Sequence, residues 1–139
     1  LEWAKEWKIC EIQELYIACD MEGMGYFETE QYEKALESFS QRRRVTEMFM
    51  RSEDIFYESY LWDGMQTHHY CSYLREAACL LKLGRKDQAK EKAERAKYII
   101  THAWTKKDGS ADYFDEKTAF YFRKYYREAG LEEIEPCPL

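Results

Sequence analysis

The stretch Ala77-Ala78-Cys79-Leu80-Leu81-Lys82-Leu83-Gly84-Arg85-Lys86-Asp87-Gln88-Ala89-Lys90-Glu91-Lys92-Ala93-Glu94-Arg95-Ala96 decides the fold. On both sides of Gly84 apolar residues recur at three- and four-residue spacing, the spacing of one helix face. Gly84 is the natural residue just past a helix end, because it takes a left-handed conformation without a side-chain penalty. Ala77 and Ala89 are small where two antiparallel helices about 8–10 Å apart come closest. The stretch reads as a helical hairpin.

Upstream, the same pattern gives a first helix over about 3–26, with Trp7, Ile12, Leu15, Tyr16, Cys19 and Gly23 as its apolar positions. Phe27-Glu28-Thr29 reads as a tight turn with Thr29 capping the next helix. That helix carries the stripe Tyr32, Ala35, Leu36, Phe39, Val45, Phe49 and Met50 and ends near Arg51, where Ser52-Glu53-Asp54 breaks it. The aromatic segment 55–62 reads as helical, and Asp63-Gly64 as a turn or a kink within one long helix. Helices over about 66–83 and 86–102 follow, then a polar loop at 106–110 and a last helix over about 112–129, stopped by Gly130. Two prolines keep Glu135-Pro136-Cys137-Pro138-Leu139 out of a helix.

Composition supports an all-α chain. Its 139 residues suit one domain, 45% are apolar, and only six Gly and two Pro leave little material for a turn-rich sandwich or barrel. Net charge is −6, which speaks against nucleic acid as a partner. No apolar run approaches the ~20 residues of a membrane span. Lys82, Arg85, Lys86, Lys90, Lys92, Arg95, Lys97, Lys106 and Lys107 form a locally basic stretch, read as a solvated helix face or as a contact for an acidic partner. Five Cys without a CxxC pair read as free thiols in a reducing, cytoplasmic setting.

Residues that could carry chemistry are few. His68 and Cys71 would share a helix face with His69 beside them, but a structural zinc site wants four ligands, and a nucleophilic cysteine wants a converging base and a group that orients it. There is no Gly-rich phosphate loop and no paired-carboxylate motif. The reading is a chain without catalytic residues, metal or cofactor, with an enzyme or metal site at His68/His69/Cys71 as the last alternative. Arg42, Arg43 and Arg44 point in three directions on a helix, ~100° apart, and read as local ion-pair donors or rim contacts at most.

Three short signatures superpose: Gly23, Tyr26, Tyr32, Ala35 and Phe39; then Ala77, Leu80, Gly84, Ala89, Ala93 and Ala96; then Tyr126 and Gly130. Over most of the chain this resembles the tetratricopeptide (TPR) repeat family. The family repeat is about 34 residues, whereas Ala35 and Ala89 are 54 apart (89 − 35). The family's first-helix Trp is replaced by Cys19 and Tyr73, and its closing Ala by Arg42. The resemblance implies one domain, 1–139, of five to six helices. Antiparallel hairpins would stack at about 3–51 and 55–104 as an α-solenoid fragment, with a capping helix at about 112–129 and an extended tail, 131–139.

The resemblance also implies a concave face lined by the first helix of each hairpin. Ile17, Asp20, Met24 and Phe27 would come from the first, Cys71, Leu74, Arg75, Ala78 and Lys82 from the second, and Phe120, Lys124 and Arg127 from the last helix. Such a face binds another protein or a peptide, as an assembly subunit, a peptide-responsive regulator or a toxin antidote. The carboxylate clamp of chaperone-binding members is missing, since its positions read Asp20, Met24, Leu74 and Ala78. The alternative is a structural homo-oligomer paired through Trp3-Trp7 or Tyr121-Tyr125. Ala35→Leu or Ala89→Leu is expected to overpack a helix–helix contact and cost about 1–3 kcal/mol in urea unfolding; unchanged midpoints in both variants would count against this packing.

Overall fold

The computed structural model describes residues 2–50, 61–102 and 116–139. The side chains of Trp3, Trp7, Ile12, Phe49 and Met50 lie outside the described residues, as do the segments expected to break or loop at 52–54 and 106–110. Among the described residues there are five α-helices, α1 (Glu2–Glu28), α2 (Tyr32–Met50), α3 (Leu61–Lys82), α4 (Lys86–His102) and α5 (Glu116–Glu128), followed by a short 3-10 turn, Leu131–Glu133. Among the described residues there is no strand, and no helix is long and apolar enough to cross a membrane.

The two interhelix turns among the described residues are built alike. After α1, Glu30 N–H donates to the Phe27 carbonyl and Gln31 N–H to the Tyr26 carbonyl. After α3, Gly84 N–H donates to Leu81 and Arg85 N–H to Leu80. Each pair of bonds closes the helix in a Schellman motif, with a left-handed residue at the pivot. That residue is Gly84 (φ 76) in one turn and Glu30 (φ 61) in the other, where a side chain costs about 1 kcal/mol. The next helices then start in the same register, with Ala35 donating to Gln31 and Ala89 to Arg85.

Three local expectations need correction. Phe27 and Glu28 belong to the last turn of α1, so the chain reverses at Thr29-Glu30. Thr29 does not cap α2: its hydroxyl turns back to the Gly25 and Tyr26 carbonyls (2.9 and 3.2 Å), and Gln31 opens α2 instead. The tail is not extended from 131. It begins as a 3-10 turn after Gly130 (φ 76), and Ile134, Cys137 and Leu139 then pack back on the main core, with the Tyr126 hydroxyl donating to the Glu135 carbonyl at 3.0 Å. Asp63-Gly64 lies inside the single helix α3, so the chain does not turn there.

Helix directions follow from the contacts. Arg42 reaches Ser72, Arg43 reaches Glu76 and Glu47 reaches His69, so α2 and α3 run antiparallel. Tyr16 stacks on His68 while Asp20 meets Arg75, so α1 runs parallel to α3. Tyr70 packs on Phe122 while Leu81 lies nearest Gly130, so α5 does too. The result is a stack of helical hairpins in which α1, α3 and α5 share one direction. The main core joins α3, α4 and α5 through Tyr70, Leu74, Ala77, Ala89, Ile100 and Tyr126; a second cluster of Ala35, Phe39 and Cys79 sits between α2 and α3 and is bridged to the first by Leu36. Leu15, expected inside, is 50% exposed, because Tyr16 rather than Leu15 faces α3.

At Gly23 the buried Phe39 ring of α2 lies directly against the α1 backbone. A Cβ there would stand 2.6–2.9 Å from three ring atoms of the buried Phe39, whereas one on Gly25 would meet nothing within 4 Å. Gly23→Ala should therefore lose about 1–3 kcal/mol to overpacking, less the helix-propensity gain. Gly25→Ala should gain about 0.5–1 kcal/mol. Thermal melts of both variants check the opposite signs.

Candidate binding cleft

The three parallel helices enclose a cleft of about 140 Å³. Met24 and Phe27 of α1 form one wall, Cys71, Leu74, Arg75 and Ala78 of α3 the floor, and Tyr125, Glu128 and Ala129 of α5 the other wall, with the Phe39 ring of α2 below. The spacing Cys71, Leu74, Arg75, Ala78 is one stripe of α3, and the small Ala78 leaves the opening. The walls are mainly apolar, with one cation and one anion among them.

Six of the twelve expected groove residues line this cleft: Met24, Phe27, Cys71, Leu74, Arg75 and Ala78. Asp20 does not line it but sits against Arg75, with Oδ1 3.1 Å from Nε. Ile17 and Lys82 are exposed outside it. Phe120, Lys124 and Arg127 are also exposed and outside, since α5 offers Tyr125, Glu128 and Ala129 instead. Carrying the α3 register onto α5 misplaces that face by one residue, or ~100° of helix rotation. The buried positions Phe122 and Tyr126 are the sequence signal that could have set the rotation correctly.

A polar network lies beside the cleft, along the α2–α3 seam. Arg42, at the position where the second hairpin has Ala96, is only 4% exposed. It is therefore more than the rim contact expected. Nη2 meets His68 Nδ1 at 3.0 Å, Nη1 donates to the Ser72 hydroxyl at 3.3 Å, and Nε lies 3.5 Å from Asp20 Oδ1. Arg42 Nε, Arg75 Nε and Asp20 Oδ1 are all buried, and none of their contacts aligns as a hydrogen bond, so charge alone pairs them. Further along, the fully buried Glu76 takes Arg43 Nε at 2.9 and 3.2 Å and Lys92 Nζ at 3.0 Å. Glu47 accepts from Tyr73 (2.7 Å) and meets His69 Nε2 (3.3 Å); the His69 bond leads the effects that hold its carboxyl down to about 2. Arg44 points outward to Glu37, so the three arginines diverge as their spacing requires.

This network determines what the histidines and thiols can do. Burial, aided by Arg42, pushes His68 down to about 4, so its ring is neutral at pH 7 and Nδ1 accepts from Arg42. Burial pushes the Cys71 thiol up to about 11 and the Cys79 thiol to about 12, so neither forms the thiolate that nucleophilic chemistry needs. His69 turns to Glu47 while Cys71 faces the cleft, so the two do not converge. Among the described residues no three His, Cys, Asp or Glu side chains gather as a metal site. Cys19, Cys71, Cys79 and Cys137 are free thiols. The basic stretch is partly neutralised within the chain, Arg85 by Glu33 and Lys92 by Glu76.

Compared with models of protein families, with curated proteins and with solved structures, the chain matches none. The reading of the cleft therefore stands on its own residues.

The His68 environment makes stability depend on pH. Because its pKa is lower in the folded chain, the unfolded chain binds more protons between about 6.5 and 4, and stability falls as pH drops through that window. The loss attributable to His68 reaches up to about 3 kcal/mol. His68→Gln keeps an acceptor for Arg42 and does not titrate, so urea unfolding at pH 7 and pH 5 should show a flatter profile in the variant. Parallel profiles would remove His68 as the source.

Proposed function

We propose that this chain is a non-catalytic, TPR-like helical-repeat module that holds a peptide segment of another protein in the cleft between α1, α3 and α5. The observation that carries the reading is the cleft's size and lining. Its volume of about 140 Å³ suits an anchoring side chain or two and falls short of the about 300–1,000 Å³ of small-molecule sites. Apolar walls interrupted by a single cation and a single anion suit an amphipathic segment. The repeated Schellman turns and the shared direction of the first helices fit the resemblance noted in the sequence, which implies such a groove. An assembly subunit, a peptide-responsive regulator and a toxin antidote would all use it in this way.

A second reading, a homo-oligomer, draws on α1, where Leu15, Ile17 and the 71%-exposed Met21 present apolar surface to solvent. Sedimentation velocity across a range of concentrations separates the two readings. The direct test is affinity capture with the full chain against an Ala78→Asp variant checked for native circular dichroism. Ala78 lines the cleft without belonging to the fully buried core, so the variant is expected to fold and to lose a specific partner. A partner retained at equal yield would move the binding surface away from the cleft.

A further inference from the structure

The cleft has an electrostatic feature that a purely apolar groove lacks. Arg42 and Arg75 both face one carboxylate, Asp20, at 3.5 and 3.1 Å, and His68 beside them is neutral. Two positive charges against one negative leave a positive excess at the cleft floor. Arg42 is sealed at 4% exposure, but 31% of the Arg75 side chain is open. Arg75 is also poorly satisfied. Its Nε does not align with Asp20 as a hydrogen bond, Nη1 points at the Met24 thioether, which is a weak acceptor, and the guanidinium lies over the Phe39 ring at 5.6 Å. A guanidinium held against apolar walls, with a thioether where an anion would fit, is primed for a charge-assisted bond.

We infer that the cleft recognises an acidic side chain of the bound peptide through Arg75, next to a large apolar side chain seated among Met24, Phe27, Ala78 and Tyr125. This rests on the peptide-binding reading and narrows it to acidic–apolar segments. Charge complementarity selects this occupant. A basic segment would meet the positive excess, and a wholly apolar one would cover the exposed part of Arg75 while offering it no acceptor beyond Asp20. Glu128, exposed on the α5 rim, sets the opposite sign there and disfavours a second acidic residue on that side.

The test uses the full chain and a panel of short, N-acetylated and C-amidated peptides. Each places one Phe or Leu a few residues from one Glu, and each is paired with a copy carrying Gln in place of Glu. Fluorescence polarisation is expected to show members that bind wild type about tenfold more tightly than their Gln copies, the scale of one charge-assisted hydrogen bond. The preference should shrink toward about 1 M salt, where charges are screened beyond about 3 Å. Arg75→Gln should abolish it, so that Glu and Gln copies bind the variant alike. If Arg75→Gln does not fold, the wild-type Glu-to-Gln ratio and its salt dependence decide alone. Equal binding of Glu and Gln peptides, lost in the cleft-filling Ala78→Phe variant, would overturn the acidic specificity and leave the peptide-binding reading standing. No binding by any member would overturn both.

Discussion

The Glu76 carboxylate, fully buried where α2, α3 and α4 meet, is the constraint on which the arrangement of the hairpins depends. Removing a carboxylate from water costs several kcal/mol unless partners replace its hydration. Here they come from both sides: Arg43 on α2 grips both oxygens, Lys92 on α4 holds one, and both cations lie over the Tyr73 ring. A one-residue slip of either helix along α3 would strand the charge. The interaction therefore acts less as adhesive than as a register pin between the first hairpin and the second.

From that pin the seam between hairpins divides into two halves. Near the turns, Ala35, Leu36, Phe39 and Cys79 form an apolar cluster. Away from the turns, Arg42 meets His68 and Ser72, and Glu47 meets His69 and Tyr73, across hydrogen bonds. An apolar surface tolerates sliding, whereas these directional contacts do not. With α2 held to α3 in one register, and α1 held to α2 by the close approach of Gly23 to Phe39, the first helix is placed parallel to α3. The cleft is the gap left when α1 and α5 flank α3, so its shape follows from contacts made elsewhere.

The local elements were largely legible because they rest on local physics. Gly84 and Gly130 adopt the left-handed conformation that their positions announced. Small residues stand at close helix contacts, with Gly23, Ala35, Ala77 and Ala89 all buried. The errors also have local causes. Thr29 can cap a following helix or close a preceding one, and with Glu30 accepting the left-handed pivot it closes α1. Arg42 looks like a surface residue in a run of three arginines, yet it is buried because Asp20, His68 and Ser72 arrive from other helices. The α5 face was misassigned by one residue because the α3 register was carried onto it, whereas its own buried stripe, Phe122 and Tyr126, sets a different rotation.

The sequence by itself determined the described helices and the left-handed glycines that follow α3 and α5, because backbone preference and hydrophobic period act over a few residues. The expectation that Met24 and Phe27 share a face with Cys71, Leu74, Arg75 and Ala78 came from the family resemblance; within it, only the stripe on α3 is a local pattern. Only the tertiary structure decided that Arg42 and Arg75 share the single carboxylate of Asp20, that Phe39, Tyr125, Glu128 and Ala129 complete the cleft, and that the tail folds back onto Tyr126. Burial and charge pairing depend on residues on different helices meeting in space, such as Asp20 and Arg75, and no local pattern along the chain records which of them do.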